Sequence, residues 1–177
     1  ATSDRKGFSI LNFSQGKATT VRMVDAPLGT YHHLDWSPDG QVIAAPMVHG
    51  QQAGKPISIA CFSKTGELVK TIRTQADRVT VNHLSYSTWS PDSRYLSLIR
   101  SGCPLEIIDY ESGESVLQIK TEHAFLGWSW ANDSNSIFVH QKDQLKQHSV
   151  PSGQVLAKTA AKGRSRCAQL SPINQLL

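Results

Sequence analysis

Trp36-Ser37-Pro38-Asp39-Gly40 decides the fold, because the chain repeats this stretch. It returns as Trp89-Ser90-Pro91-Asp92-Ser93, as Trp130-Ala131-Asn132-Asp133-Ser134 and as Leu170-Ser171-Pro172-Ile173-Asn174. Each copy follows mixed apolar and polar residues and precedes aliphatic ones. Proline suits the first corner of a β-turn, Asp or Asn supports the turn through its side chain, and Gly or Ser closes it. The stretch therefore predicts a β-hairpin whose aromatic residue ends the incoming strand and fills space between neighbouring sheets.

A second repeated unit lies between these copies and consists of two β-type runs joined by a turn that ends in glycine. The turn glycines are Gly16, Gly66, Gly113 and Gly153. The paired runs cover 8–13 and 20–24, 57–62 and 68–72, 105–110 and 116–119, and 145–150 and 155–158. Their apolar and polar residues alternate only loosely, as expected when both faces of a strand are partly buried.

The spacing of the two units predicts a β-propeller. The turn glycines lie 50, 47 and 40 residues apart, and the first positions of the other unit lie 53, 41 and 40 apart. A four-stranded unit that recurs at such intervals is typical of a propeller blade. We therefore predict an all-β domain over 1–177, essentially without helix. The predicted blades are 1–24 completed by 168–177, 31–73, 83–120 and 124–159.

This is material for about four blades, whereas propellers contain four to eight. The chain could close a small ring by itself, belong to a larger ring in a longer chain, or complete a ring with a second copy as a homodimer. Because the last residues stop inside a predicted inner strand, we expect a piece of a larger ring.

The residues Trp36 to Ala44 and Trp89 to Leu98 resemble the WD-like repeat of TolB-type propellers and of the propellers of prolyl-oligopeptidase-type peptidases. Ile107 to Gly113 matches the end of the third strand in that repeat. The third copy departs from the pattern at Ala131-Asn132, and the fourth has Leu170 in place of Trp. The resemblance implies a propeller scaffold and leaves its function open, since propellers carry many unrelated functions.

Composition is that of a folded domain, with 39% hydrophobic and 18% charged residues, a net charge of +4 and a pI near 9.1. No apolar run approaches the roughly 20 residues of a membrane helix. Cys61, Cys103 and Cys167 lie far apart and have no metal-ligand spacing, so we expect buried thiols in a reducing compartment. A disulfide from Cys167 to Cys61 or Cys103 stays open at this point. With no secretory signal at the start, we expect a cytoplasmic protein.

Enzyme chemistry is not indicated. Gly163-Arg164-Ser165-Arg166-Cys167 lacks the second glycine of a nucleophile elbow. Phosphate-binding loops, dinucleotide fingerprints and zinc-protease motifs are also missing. Asp39, Asp92 and Asp133 each lie in a separate turn, where a capping role is expected. We predict a non-enzymatic scaffold that needs no cofactor or metal and binds another protein, either a peptide or a domain surface.

The predicted contact residues lie in the loops that lead into the strands of the Trp motifs, because rigidly displayed loops suit recognition. They are Tyr31, His32, His33, Asn82, His83 and His123. A metal shared by these histidines is the less favoured interpretation, since the ordinary role of a loop histidine is hydrogen bonding. Strand addition to an open blade edge is another route to a partner.

Lys158, Lys162, Arg164 and Arg166 form a basic cluster that could bind an anionic partner. No aromatic residue accompanies them, which argues against base stacking and makes a nucleic-acid scaffold the third hypothesis. The second hypothesis is a non-catalytic gating propeller of a larger hydrolase, which requires catalytic residues outside this chain.

Overall fold

The computed structural model describes residues 2–4, 7–25, 30–31, 33–48, 57–74, 86–99, 104–120, 125–141 and 143–161, and all regular structure in these ranges is β-strand. The strands are β1 (Thr2–Asp4), β2 (Gly7–Ser14), β3 (Lys17–Asp25), β4 (Thr30–Tyr31), β5 (Asp35–Trp36), β6 (Val42–Val48), β7 (Ile57–Ser63), β8 (Leu68–Arg73), β9 (Tyr86–Trp89), β10 (Tyr95–Ile99), β11 (Leu105–Asp109), β12 (Ser115–Ile119), β13 (Phe125–Trp130), β14 (Ser136–Gln141), β15 (Gln144–Ser149) and β16 (Val155–Ala160).

The strands form four antiparallel sheets that follow one another along the chain. The first contains β1–β3, the second β4–β8, the third β9–β12 and the fourth β13–β16. The third and fourth are simple four-stranded meanders. In the second sheet, the short strands β4 and β5 both pair with β6 and together take the place of one inner strand. The prediction of an all-β fold built from repeated hairpins is confirmed.

Both predicted turn types lie where the sequence places them. Trp36, Trp89 and Trp130 end β5, β9 and β13, and the Pro-Asp or Asn-Asp turn follows. The glycine of each outer turn has a left-handed φ, between 73° at Gly153 and 82° at Gly66. Glycine adopts this conformation without the penalty that a Cβ atom brings, which explains its recurrence there.

The outer strands are irregular in the same way in the last three sheets. The register shifts so that one residue is left without a partner: Val69 in β8, Val116 in β12 and Leu156 in β16. A bulge of this kind twists an edge strand and hinders pairing with a further strand. Strand addition is therefore disfavoured at the start of each outer strand.

The core lies between consecutive sheets. Phe8 and Ile10 of the first sheet pack on Ile43 and Phe62 of the second. Two further clusters join the second sheet to the third, and the third to the fourth. Cys61 belongs to the first of these two, is fully buried and is a free thiol, as expected for a small apolar core residue.

The predicted closure of the first blade by 168–177 involves residues outside the described ranges and stays a prediction. Within the described residues, β2 lies between β1 and β3, and β1 pairs with β2 in the register Thr2↔Ser9.

Candidate binding surfaces

The turns of neighbouring sheets are joined by a repeated hydrogen bond. The backbone N–H of Asp39 donates to Ser93 Oγ at 3.1 Å, and the N–H of Asp92 donates to Ser134 Oγ at 3.0 Å. In both cases the fourth residue of one motif copy bonds to the fifth residue of the next. The contact is therefore as regular as the repeat itself.

The fifth position of the motif has a left-handed backbone in every described copy. The φ angles are 70° at Gly40, 63° at Ser93 and 61° at Ser134. A residue with a Cβ is uncommon in this region. At this position the hydroxyls of Ser93 and Ser134 accept from the N–H groups of Asp39 and Asp92 in the preceding copies.

The motif aspartates mainly cap their own turns. Asp39 Oδ1 accepts from the N–H of Gln41 at 3.0 Å, Asp92 Oδ1 from that of Arg94 at 3.1 Å, and Asp133 Oδ1 from that of Asn135 at 3.0 Å. The hydrogen bonds from Ser37 and from the backbone hold the pKa of Asp39 below its usual range. The capping role predicted for these aspartates is confirmed.

Within each sheet, the inner turn is joined to the outer turn through the backbone. The N–H groups of Lys64, Tyr110 and Val150 donate to the carbonyls of Gln41, Arg94 and Asn135 at 2.9, 2.9 and 2.8 Å. We call the surface formed by residues 37–41, 63–67, 90–94, 109–114, 131–135 and 149–154 the turn face. Hydrogen bonds thus cross-link the turn face both within sheets and between them.

The outer turns receive contacts from the preceding sheet. Lys70 Nζ donates to the carbonyls of Tyr110 and Glu111 at 2.8 and 2.7 Å, and lies 5.4 Å from the centre of the Tyr110 ring. Leu117 has the place of Lys70 in the third sheet, since both lie four residues after the turn glycine of their own sheet. It covers Gly153 of the fourth sheet so closely that a Cβ added to Gly153 would lie 2.7 Å from Leu117 Cδ1. Each of these contacts fixes an outer turn against its neighbour.

The second and third sheets are also joined at their inner strands. Asp35 Oδ2 accepts from the N–H of Trp89 at 3.0 Å, and Trp89 Nε1 donates to the Asp35 carbonyl at 3.2 Å. Burial raises the pKa of the Asp35 carboxyl, while the Trp89 hydrogen bond and the nearby His33 oppose that rise. His33 is half-buried and lies just before β5, on the side of the sheet away from the turn face.

The third and fourth sheets are joined by a polar cluster around Ser97. Trp128 Nε1 donates to Ser97 Oγ at 2.8 Å and to Thr88 Oγ1 at 3.0 Å, and Trp130 Nε1 donates to Ser97 Oγ at 3.2 Å. The two hydroxyl oxygens are 2.6 Å apart. Both indoles therefore point at the same sheet, as their two-residue spacing predicts.

Of the six predicted contact residues, the structure describes two. Tyr31 lies in β4 with its backbone paired to Met47, and His33 lies beside Asp35. His32, Asn82, His83 and His123 lie outside the described ranges, so their predicted convergence is untested. In the basic cluster, Lys158 is exposed on β16, and Lys162, Arg164 and Arg166 are outside the described ranges.

The described residues contain neither a metal-binding cluster nor a membrane-spanning helix. No group of three or more His, Cys, Asp or Glu in this part of the chain is placed to hold a metal ion. Nor does it contain a helix long and apolar enough to cross a membrane.

Sequence reasoning missed Asp35, Ser97 and Lys70. Each of them forms a hydrogen bond with a residue at least 31 positions away in the chain. Ser97 also bonds to Thr88 on the neighbouring strand. A local pattern carries no signal for such contacts. For the bonds between neighbouring turns, one local signal was available: two motif copies have serine at the fifth position, where the first copy has glycine.

Comparison with known proteins shows the fold. No protein-family model and no curated protein matches the sequence. Among solved structures, the chain is similar to the hydrazine synthase of Kuenenia stuttgartiensis, with a TM-score of 0.62, 16% identity, and coverage of 92% of this chain and 44% of that one. It is also similar to the C-terminal WD40 domain of Sif2, with a TM-score of 0.62, 13% identity, and coverage of 86% and 41%.

These likenesses confirm the predicted β-propeller of four-stranded blades. The chain spans less than half the length of both solved structures.

Proposed function

We propose that this chain is a non-enzymatic propeller scaffold of the WD-like, TolB-type repeat class that binds another protein. The observation that carries the proposal is the cross-linked turn face. These hydrogen bonds hold neighbouring sheets in a fixed register, and a rigidly positioned surface favours recognition because little conformational entropy is lost on binding.

The motif side chains of the turn face are committed to internal contacts. Asp39 and Asp92 cap their turns, while Ser93 and Ser134 join neighbouring sheets. We therefore place recognition at the opposite ends of the inner strands, where Tyr31 and His33 are the described members. The half-buried imidazole of His33 can donate a hydrogen bond to a peptide carbonyl or accept one from a peptide N–H at this surface.

The experiment uses binders selected from a displayed random-peptide library, since no natural partner is assumed. Calorimetry then measures the affinity of each selected peptide for the purified chain and for the variants Tyr31→Ala and His33→Ala. A loss of affinity on the order of tenfold is expected for either variant, as for a central interface residue.

Lys64→Ala is the matched control, because Lys64 is an exposed residue on the turn face. Peptides that lose affinity on the Lys64 substitution and keep it on the other two would place recognition on the turn face and overturn the proposed surface. If the library yields no specific binder, the proposed function is rejected. No observation on the described residues favours the hydrolase gate or the nucleic-acid scaffold.

A further inference from the structure

The carboxyl group of Asp35, at the interface between the second and third sheets, is only partly used within the structure. One oxygen, Oδ2, accepts from the N–H of Trp89 at 3.0 Å. The other oxygen, Oδ1, forms no hydrogen bond in the described part of the chain, although the residue is half-buried. No described lysine or arginine forms an ion pair with it, whereas Asp109 pairs with Arg94 at 3.2 Å. Asp35 therefore presents a partly desolvated negative charge with a free acceptor oxygen.

The corresponding acceptor at the interface between the third and fourth sheets does receive a donor. Thr88 has the place of Asp35, one residue before its motif tryptophan, and its Oγ1 accepts from Trp128 Nε1 of the fourth sheet at 3.0 Å. The residue of the third sheet that corresponds to Trp128 is Ser87. Its Oγ is buried and has no hydrogen-bond partner, so it does not bond to Asp35. The repeat therefore supplies a donor at this place in one interface and omits it in the other.

The chemistry of the missing donor follows from the charge of Asp35. Burial raises the pKa of its carboxyl, and the hydrogen bond from Trp89 offsets this rise only in part. A ligand that brings positive charge as well as N–H groups binds such a carboxylate best, because charge-assisted hydrogen bonds are the stronger ones. A guanidinium group is more weakly hydrated than an ammonium group and presents several N–H donors in one plane. It therefore loses less hydration on entering a half-buried site.

The backbone of Asp35 is held in place by both neighbouring elements. Its carbonyl accepts from Trp89 Nε1 at 3.2 Å, and the residue pairs with Ala44 of β6. A carboxylate that the fold positions in this way needs little ordering when a ligand binds. His33, a member of the proposed recognition surface, lies two residues earlier and influences the pKa of the Asp35 carboxyl. Asp35 thus borders the surface at which the partner is proposed to bind.

We propose that Asp35 is an anchor site for the guanidinium group of an arginine side chain in the partner. The guanidinium donates to Asp35 Oδ1, and so supplies the donor that Trp128 supplies to Thr88 in the next interface. This inference rests on the proposed function for the place at which the partner binds. It adds the chemical class of the residue that the partner presents there.

The site is tested on the full chain with a small probe, N-acetyl-arginine methylamide, at near-neutral pH. The backbone amide of Trp89 is the reporter, because its hydrogen bond to Asp35 Oδ2 changes when a cation binds the carboxylate. Nitrogen-15 NMR follows this amide during the titration, and a saturable shift of its signal is expected. The matched probe N-acetyl-citrulline methylamide has a similar shape and no charge. It should bind on the order of tenfold more weakly, since it lacks the charge-assisted hydrogen bond.

Asp35→Asn removes the charge and keeps an oxygen that can accept the N–H of Trp89, so that the reporter is retained. The affinity of this variant for the arginine probe should fall to that for the citrulline probe. Glu67→Gln is the matched control, because it makes the same change of charge at an exposed residue of the turn face, and should leave the affinity unchanged. An arginine probe that binds the Asp35→Asn variant as tightly as the wild type, or no more tightly than the citrulline probe binds, would overturn the proposal.

A double-mutant cycle separates this inference from the proposed function. It uses an arginine-containing peptide selected from the displayed library. Arginine to citrulline in the peptide and Asp35→Asn in the chain should each weaken binding about tenfold, and together no further than either alone. Selected peptides that depend on Tyr31 and His33 but show no coupling to Asp35 would support the proposed function and overturn this inference. A probe that binds at Asp35 while the library yields no specific binder would support the site and reject the proposed function.

Discussion

Ser97→Ala is the most informative single substitution in the described structure, since the Ser97 hydroxyl organises the contact between the third and fourth sheets. It accepts from both Trp128 Nε1 and Trp130 Nε1 and lies 3.0 Å from the Thr88 carbonyl, to which it donates. Ser97 itself is fully buried, and Trp130 is 7% exposed. Removing the hydroxyl therefore leaves buried donors in a place that water does not reach.

The two indoles respond differently to this loss. Trp128 Nε1 keeps Thr88 Oγ1 at 3.0 Å as an acceptor, whereas Ser97 is the acceptor that the structure gives to Trp130 Nε1. A buried donor without a partner costs about 1 to 3 kcal/mol, and a lost neutral hydrogen bond about 1 kcal/mol. We expect Ser97→Ala to lower the free energy of unfolding by about 2 to 3 kcal/mol.

Thr88→Val is the matched control because it removes the other hydroxyl while Ser97 still accepts from both indoles. A loss of about 1 kcal/mol is expected for it. Urea denaturation followed by tryptophan fluorescence gives both values, at unchanged slope if the unfolded state is unaffected. A loss for Ser97→Ala no larger than that for Thr88→Val would refute the assignment of Ser97 as the central acceptor.

Three further predictions follow from single side chains. Asp35→Asn should gain stability relative to the wild type as the pH rises from about 4 to 7. Burial raises the pKa of Asp35 in the folded state, so the wild type loses stability when this carboxyl ionises and the Asn variant does not. Urea denaturation at several pH values measures this, and an equal pH dependence of the two unfolding free energies would contradict it. Ser134→Ala should be less stable than Ser134→Gly by about 1 kcal/mol, since both lose the bond to Asp92 N–H but only Gly suits a φ of 61°; equal melting temperatures would count against it. Burial raises the pKa of the Cys61 thiol to about 12, so a thiol reagent at pH 8 should modify Cys61 only after unfolding, as peptide mapping by mass spectrometry would show; rapid labelling of the folded chain would exclude a buried thiol.

The repeat allowed the hairpin strands, both turn types and the blade architecture to be predicted from the sequence, because each of them depends on residues close together in the chain. It did not predict β1 or the division of an inner strand into β4 and β5. The turn capping by Asp39 and Asp92 is local in the same sense. The bonds between sheets were not predictable. Asp39 and Ser93 are 54 residues apart, and nothing in either stretch alone shows that they meet.

Lys70 illustrates the same limit for a charged residue. In the sequence it follows two apolar residues of an edge strand and suggests a solvent-facing position. In the structure it is half-buried, with Nζ held by two carbonyls of the next sheet. The long lysine side chain packs its carbons against Gly113 and brings the ammonium group to the end of the turn. Only the packing of one blade on the next creates this environment.

The two described contacts between complete blades share the links between their inner turns and differ in their other polar contacts. The turn links use the same backbone N–H and the same serine hydroxyl. The remaining links differ, with the Asp35 carboxylate of β5 in one case and the Ser97 hydroxyl of β10 in the other, and with Lys70 or Leu117 on the outer turns. A feature that repeats unchanged serves the geometry common to all blades, whereas a feature that differs between blades can distinguish one ligand from another. Differences between blades therefore lie outside the links between the inner turns, and one of them is Asp35, which follows His33 by two residues and whose carboxyl pKa is influenced by it. This difference is consistent with the proposal that a partner is recognised at the inner-strand ends around His33, with the turn face keeping the blades in register.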